Sequence, residues 1–450
     1  MSILPSDIQH IWHPFTQTYG STEPIAIVKG EGLYLINEKG EKIMDAISSW
    51  WTSIHGHCHP YMAQKIAEQA ATLDHVIFAG FTHPKAVELS ERLLKSLPPN
   101  FSKIFFSDDG STSVEVAIKM ALQYWYNKGE QKNRIIAFRD SYHGDTFGAM
   151  SVGGRSAFSN PFAALLFEVD FIDVPLPGQE EKTLLQLKDA INKNTAAFIF
   201  EPLLLGTAGM QMYSVDVLQK MMDLCQEAKV LTIADEVLTG FYRTGKCFAS
   251  SNLKKGSDII CLSKGITGGT MALGVTACSQ EIFDAFVSED KFKTFFHGHS
   301  YTGNPIACAA SCASMELLAK EETLQSIANL CNAQKEWMLK LKSHPALTDA
   351  RNIGTINAFE IKSAKGSSYF NNLRDGIYNF FLQRNILLRP LGNIIYVMPP
   401  YCINADELNI IYQNIEDFLN QHQKNIHYSK NENKLIMNIP FDHKKKNRNK

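Results

Sequence analysis

Two apolar runs of this chain each end in a charged residue. Lys264 closes Asp258-Ile-Ile-Cys-Leu-Ser-Lys264 and is followed at once by Gly265-Ile-Thr-Gly-Gly-Thr270. Asp235 closes Val230-Leu-Thr-Ile-Ala-Asp235 and precedes Glu236. A lysine at a strand end can hold an aldehyde as a Schiff base, and an aspartate there can keep a pyridine nitrogen protonated. Those are the two demands that pyridoxal 5'-phosphate (PLP) makes of a protein. Strand ends also face loops, and loops tolerate charge. The pair alone therefore leaves a second reading open, two buried strands that happen to end in charge.

A phosphate needs backbone N–H donors and hydroxyls, which a helix N-terminus supplies together with a favourable dipole. Asp108-Asp109-Gly110-Ser111-Thr112-Ser113-Val114-Glu115 leads from an apolar run into a helical pattern. Gly110 lets backbone approach closely, Ser111 adds a hydroxyl, and Thr112 with Glu115 has the spacing of a capping box. A well-capped helix after a strand would read the same way. Tyr142, in Arg139-Asp140-Ser-Tyr142-His143-Gly144-Asp145, could stack on a flat ring or simply pack, and Asp145 could touch ligand or cap the next segment. His55-Gly-His57-Cys58-His59 offers four potential metal ligands in five residues. Adjacent loop positions rarely converge on one tetrahedral ion, so no metal is expected.

These residues need a scaffold, and the sequence predicts one. Seven strands are expected at Lys103–Ser107, Arg134–Phe138, Val169–Val174, Ala196–Pro202, Leu231–Val237, Ile259–Lys264 and Gly274–Ser279. Most are apolar throughout, the pattern of a sheet covered on both faces. Helical spacing over Val114–Asn127, Leu184–Lys193 and Val215–Lys229 alternates with them, which predicts an α/β domain with a mainly parallel sheet. Ligands in such sheets bind beyond the carboxyl ends of the strands, where Asp235 and Lys264 lie. The expected division is residues 1–60 and 304–424 for a smaller α+β domain built from both chain ends, 61–303 for the large domain, and 425–450 for a basic, disordered tail. A hairpin is predicted from Gly32 to Asp45, turning at Glu38-Lys-Gly40.

Composition narrows the partners. The 450 residues are 45% apolar and 20% charged with a net charge of −2, which gives no reason to expect nucleic acid or an anionic membrane. No apolar stretch approaches the roughly 20 residues needed to span a bilayer. The N-terminus lacks the basic and apolar regions of a signal peptide. Nine scattered cysteines without a CxxC pair suggest a reducing, cytoplasmic setting.

Taken together, Gly110-Ser111, Tyr142-His143-Gly144, Asp235-Glu236-Val-Leu-Thr-Gly-Phe-Tyr-Arg243-Thr-Gly245 and Ser263-Lys264-Gly-Ile-Thr-Gly-Gly269 resemble the class III, fold-type I PLP aminotransferases, over about residues 10 to 420. Ile11-Trp-His-Pro14, Ser48-Ser-Trp50-Trp51, Thr267-Gly-Gly-Thr-Met271 and Arg389-Pro-Leu-Gly-Asn-Ile-Ile-Tyr396 are similar to the members of biotin biosynthesis that move an amino group from S-adenosylmethionine to 8-amino-7-oxononanoate. The resemblance implies a homodimer with shared active sites. It makes Lys264 the Schiff-base lysine and proton carrier, and Asp235 the partner of the pyridinium. It implies that Gly110 and Ser111 hold phosphate together with His299 and Ser300 of the partner subunit. Phe15, Trp50, Trp51, Tyr142, Asp145, Arg243 and Gly298 would surround substrate, with Arg389 on its distal carboxylate. Phe15 stands where the family commonly has Tyr, which leaves the amino donor open; Ser300 stands where it usually has Thr, and the retained hydroxyl should still bind phosphate. Another class III ω-aminotransferase using a diamine, lysine or γ-aminobutyrate would share most of these features. A PLP decarboxylase or aminomutase would share Lys264 and Asp235.

Overall fold

Successive residues of the central strands divide between two cores because a strand alternates its side chains. Ile135 and Ala137 join one buried cluster with the helix Gly110–Asn127, while Ile136 and Phe138 join the other. Ile259 and Cys261 separate from Ile260 and Leu262 in the same way. Both faces are covered, which is why these runs read as apolar throughout.

The computed structural model describes residues 2–19, 23–363 and 371–431. All seven predicted strands form one sheet, in the order Phe101–Ser107, Gly274–Ser279, Ile259–Leu262, Leu231–Asp235, Thr195–Phe200, Arg134–Phe138, Asp170–Ile172. Only Gly274–Ser279 runs against its neighbours. Helices Glu180–Ala190 and Val215–Glu227 occupy two of the predicted helical stretches. Leu231–Asp235 and Ile259–Leu262 are adjacent and parallel, with Asp235 opposite Cys261. The chain thereby brings Asp235 and Lys264 to the same edge of the sheet.

The predicted hairpin pairs Tyr34–Asn37 with Lys42–Asp45, joined by Ile27–Glu31 and, from the far end of the chain, Ile386–Leu387 parallel to Lys42–Asp45. A second antiparallel sheet, Leu347–Ile353, Ile356–Ile361 and Ile394–Val397, packs on helix Glu321–Leu341. Helix Pro305–Leu318 lies against helices Pro60–Thr72 and Pro84–Ser96 and against the turn Lys264–Thr267. The last helix, Ala405–Asn431, runs into the segment expected as a tail, whose residues 432–450 lie outside the described residues. Among the described residues no helix is long and apolar enough to cross a membrane.

Gly354 joins the second sheet to the loop that carries Arg243. Its φ is +53°, and a Cβ there would stand 2.3 Å from both Gly245 N and Thr244 C. Next to it, Thr355 donates to Arg243 O through N–H at 3.0 Å and through its hydroxyl at 3.1 Å. Gly40 also has a positive φ, +82°, but open space around it. Gly354→Ala should lower stability by about 2–4 kcal/mol in urea unfolding, combining backbone strain with overpacking, against about 1 kcal/mol for Gly40→Ala. Equal losses at the two positions would contradict this close approach.

Candidate active site

The strand Phe101–Ser107 delivers the chain to helix Gly110–Asn127, and the helix start differs from the expected one. Asp109 is the N-cap: its carboxylate accepts from Thr112 N at 2.8 Å while Thr112 Oγ1 accepts from Asp109 N at 3.1 Å. Glu115, expected in the capping box, instead accepts from the hydroxyl of Thr146 and from Gly148 N and Ala149 N. An aspartate one residue before Gly110 competes better for the cap, so the helix begins earlier than the apolar spacing suggests. Gly110 and Ser111 therefore fall in the first turn, where N–H groups have no intrahelical acceptor.

Two glycines keep this end open. A Cβ on Gly144, whose φ is +135°, would lie 2.3 Å from Ser111 Oγ, and one on Gly110 would lie 2.8 Å from Val237. Ser111 Oγ accepts from Asp145 N at 3.1 Å. Asp108, Gly110, Ser111, Tyr142, His143, Asp235 and Lys264 share a cavity of about 440 Å³.

Asp235 is buried at the floor of that cavity. His143 Nδ1 donates to its Oδ2 at 2.7 Å, and Val237 N donates to Oδ1 at 3.1 Å. His143 Nε2 is buried and has no hydrogen-bond partner among the described residues. Lys264 holds a left-handed backbone, φ +48°, and its Nζ stands 4.8 Å above the Trp51 ring. Burial lowers the pKa of this amine and nearby Arg243 adds to the effect, while Asp235 and Glu201 oppose it. The charged form of this amine is thus disfavoured by its surroundings.

Glu201 is a site residue that the sequence reading passed over. It follows strand Thr195–Phe200, accepts from Tyr142 N at 3.1 Å and from Gly206 N at 3.0 Å, and lines the same cavity. A charged residue ending an apolar run was the signal, the same one that marks Asp235.

A second cavity, of about 720 Å³, shares Trp51, Tyr142, Gly144 and Lys264 with the first and is lined as well by Phe15, Trp50, Asp145, Phe158 and Arg389. Phe15 lies 5.8 Å from Trp50 and 5.9 Å from Phe158, ring centre to ring centre. Nothing in the sequence pointed to Phe158. Burial and the Asp145 carboxylate raise the Tyr142 phenol.

Four arginines line this second cavity. Arg351 pairs with Glu360, Arg139 with Asp173 at 3.2 Å, and Arg155 donates to the carbonyls of Ser151 and Phe167 at 2.8 and 3.1 Å. The Arg389 guanidinium lies over Trp50 at 4.7 Å and, among the described residues, has no carboxylate or hydrogen-bond partner.

Four of the expected site residues, Arg243, Gly298, His299 and Ser300, lie outside both cavities of the single chain. Arg243 is buried away from both cavities, donating to Pro399 O at 3.0 Å and Trp51 O at 3.4 Å. It holds the backbone behind Trp51, because its long-range carbonyl partners draw the guanidinium inward. Gly298 and Ser300 are exposed and line neither cavity. His299 turns its Nε2 toward Asp108 of its own chain, 3.9 Å away, and also stays outside the cavities. The histidine-rich run disperses as well: His55 reaches Ser314 Oγ at 2.9 Å and His57 reaches Asp45 at 2.9 Å. Among the described residues no group of three or more metal-binding side chains converges.

A doubly covered, mainly parallel sheet with a glycine-opened helix end, a buried aspartate and a buried lysine of lowered pKa fits an enzyme that uses PLP. The model of the family Aminotransferase class-III matches residues 16–419, and the chain belongs to that family, whose cofactor is PLP. The chain is 44% identical over 421 residues to the adenosylmethionine-8-amino-7-oxononanoate aminotransferase of Synechococcus elongatus, covering 92% of this chain and 99% of that one. Its identity to the Geobacter sulfurreducens protein of the same name is 37%, covering 91% and 95%. The crystal structure of the Methanocaldococcus jannaschii protein so named superposes with a TM-score of 0.88 at 32% identity, covering 93% of this chain and 98% of that one.

Burial pushes the Glu201 carboxyl up from 4.5 to about 7, with Asp235 adding to the rise and His143 working against it. Between those values the folded protein keeps a proton that the unfolded chain has lost. This group therefore favours folding at low pH, and its contribution is lost as pH rises from 4.5 through about 7. In cofactor-free protein, Glu201→Gln should flatten that part of the stability–pH curve, measured by urea unfolding across the window. An unchanged slope would place the titration elsewhere.

Proposed function

We propose that this chain transfers the amino group of S-adenosylmethionine to the C7 ketone of 8-amino-7-oxononanoate, forming 7,8-diaminononanoate in cytoplasmic biotin synthesis. Arg389 carries this reading. Among the described residues it is the arginine with neither a carboxylate nor a hydrogen-bond partner in an aromatic-walled cavity that Lys264 also lines. An acceptor with a ketone at one end, an apolar chain and a carboxylate at the other matches that order of groups. The names and coverage of the relatives support the same substrate.

PLP supplies an aldehyde that carries the amino group and a cationic ring that withdraws electrons. Gly110 and Ser111 would hold its phosphate at the helix N-terminus. Asp235, held by His143, would keep the ring nitrogen protonated, and Tyr142 would wall the ring. Lys264 Nζ takes the proton from the donor Cα and, in the second half of the cycle, delivers one to C7 of the acceptor. The donor leaves as its 2-oxo acid and the ketone leaves as an amine, so nitrogen and electrons balance. Trp50, Trp51, Phe15 and Asp145 line the path to Arg389, while Arg243 acts behind Trp51. Phe15 offers no hydroxyl to substrate, a difference worth roughly 0.5–1.5 kcal/mol in donor choice.

The working unit in this reading is a homodimer in which the partner subunit's His299 and Ser300 complete the phosphate site. Phe292, Phe296 and Tyr301 flank that loop and are 85%, 71% and 64% exposed in the single chain, as an interface before assembly would be. Mixing inactive Lys264→Ala chains with inactive Ser300→Trp chains should restore partial activity after subunit exchange. No rescue with exchange verified would contradict a shared site.

A donor panel with 8-amino-7-oxononanoate as fixed acceptor tests the substrate assignment, scored for 7,8-diaminononanoate and for the keto product that only transamination leaves. Arg389→Ala should reduce kcat/KM for the acceptor by a factor equivalent to about 2–5 kcal/mol, while the donor half-reaction changes little. Arg389→Lys should recover part of the loss, since an ammonium lacks the guanidinium fork. Equal damage to both halves would remove Arg389 from acceptor recognition.

A further inference from the structure

The histidine-rich run has no part in the chemistry above, yet one of its members connects through Asp45 to Ser49, a residue lining the second cavity. His57 Nε2 lies 2.9 Å from Asp45 Oδ2, and the same oxygen accepts the Ser49 hydroxyl at 2.8 Å. The other oxygen of Asp45 accepts from Ile47 N at 3.2 Å, and the carboxylate is fully buried. His57 is tied in turn by backbone bonds to Gly32, 2.7 Å through its N–H and 3.1 Å through its carbonyl.

This chain of bonds supports a strained corner. Ser48, Ser49 and Trp51 have φ of 53°, 58° and 68°, and Ser49 has ψ of −100°. L-residues leave such conformations unless their surroundings hold them. The corner presents two indoles, Trp51 beneath Lys264 and Trp50 beneath Arg389. Trp51 has anchors of its own, since its Nε1 donates to Tyr396 OH at 2.9 Å and its carbonyl accepts from Arg243. Trp50 is 46% exposed and touches Phe15, and the residue before it, Ser49, is bonded through its hydroxyl to Asp45.

We propose that His57 is a positioning residue for substrate: by fixing Asp45, which fixes Ser49, it holds Trp50 under Arg389. The inference rests on the Arg389 reading above and assigns His57 to the acceptor end of the cavity, not to the chemistry at Lys264. A hydrogen bond to a buried carboxylate explains why a histidine stands here. Its ring donates from Nε2 while its backbone stays paired with Gly32.

The test uses cofactor-loaded His57→Leu, His57→Gln and Ser49→Ala proteins. His57→Leu should raise the KM for 8-amino-7-oxononanoate roughly tenfold or more, the equivalent of a charge-assisted hydrogen bond. It should leave the single-turnover donor half-reaction within about twofold, with cofactor absorbance retained. Ser49→Ala should shift KM in the same direction, and both changes should alter the tryptophan bands of the near-ultraviolet circular dichroism. His57→Gln, whose amide can donate to Asp45, should recover most of the loss. In an Arg389→Ala background, His57→Leu should add little, because the two act on one contact. An unchanged KM in both His57→Leu and Ser49→Ala, or a full additional loss in the Arg389→Ala background, would overturn the proposal. Failure of the wild-type protein to use 8-amino-7-oxononanoate would instead sink the substrate assignment. In that case the dichroism of His57→Leu and Ser49→Ala still decides the clamp: unchanged bands in both would overturn it.

Discussion

A buried amine and a buried carboxylate must sit side by side without neutralising one another's use. The sheet solves this by placing them on adjacent parallel strands, Asp235 opposite Cys261 and Lys264 three residues beyond. Asp235 is engaged by His143 and Val237 N–H, so its carboxylate is oriented toward the cavity floor before any ligand arrives. Lys264 is raised on a left-handed turn over Trp51, where burial favours its neutral form. That pairing of an oriented carboxylate with an available amine depends on covering both sheet faces. The two alternating cores therefore serve the chemistry as well as stability.

The adjoining cavity is walled by aromatic rings and includes Arg389, and the other arginines on its wall are already engaged. Glu360, Asp173 and backbone carbonyls satisfy Arg351, Arg139 and Arg155. Specificity in such a slot comes from leaving one guanidinium unmatched, because a ligand lacking the complementary carboxylate would strand it. Arg243, Tyr396 and the Asp45–His57 pair brace the tryptophan corner from behind.

Sequence reasoning reached the elements whose evidence is local. The seven strands announced themselves by unbroken apolar runs, and Lys264 and Asp235 by charge at their ends. Gly110 and Ser111 were marked by the turn into a helical pattern, although the cap proved to be Asp109, with Glu115 turned to a different segment. What escaped depended on distant partners. Arg243 looks like a ligand-facing cation until Pro399, 156 residues away, is seen to draw it inward. Phe158 enters the cavity by packing on Phe15, and His57 matters only beside Asp45 and Ser49, contacts that no spacing rule encodes. Glu201 was legible, since it too ends a buried strand.

The central claim is that the wild-type protein measures its acceptor between Lys264 and Arg389. Its most direct test compares kcat/KM for 8-amino-7-oxononanoate with that for the same molecule carrying a carboxamide in place of the distal carboxylate. Both present the same ketone to Lys264, so the difference reports the far end alone. A buried charge pair reduced to one partner predicts a loss equivalent to about 2–5 kcal/mol for the carboxamide. Equal values for the two acceptors would contradict the account.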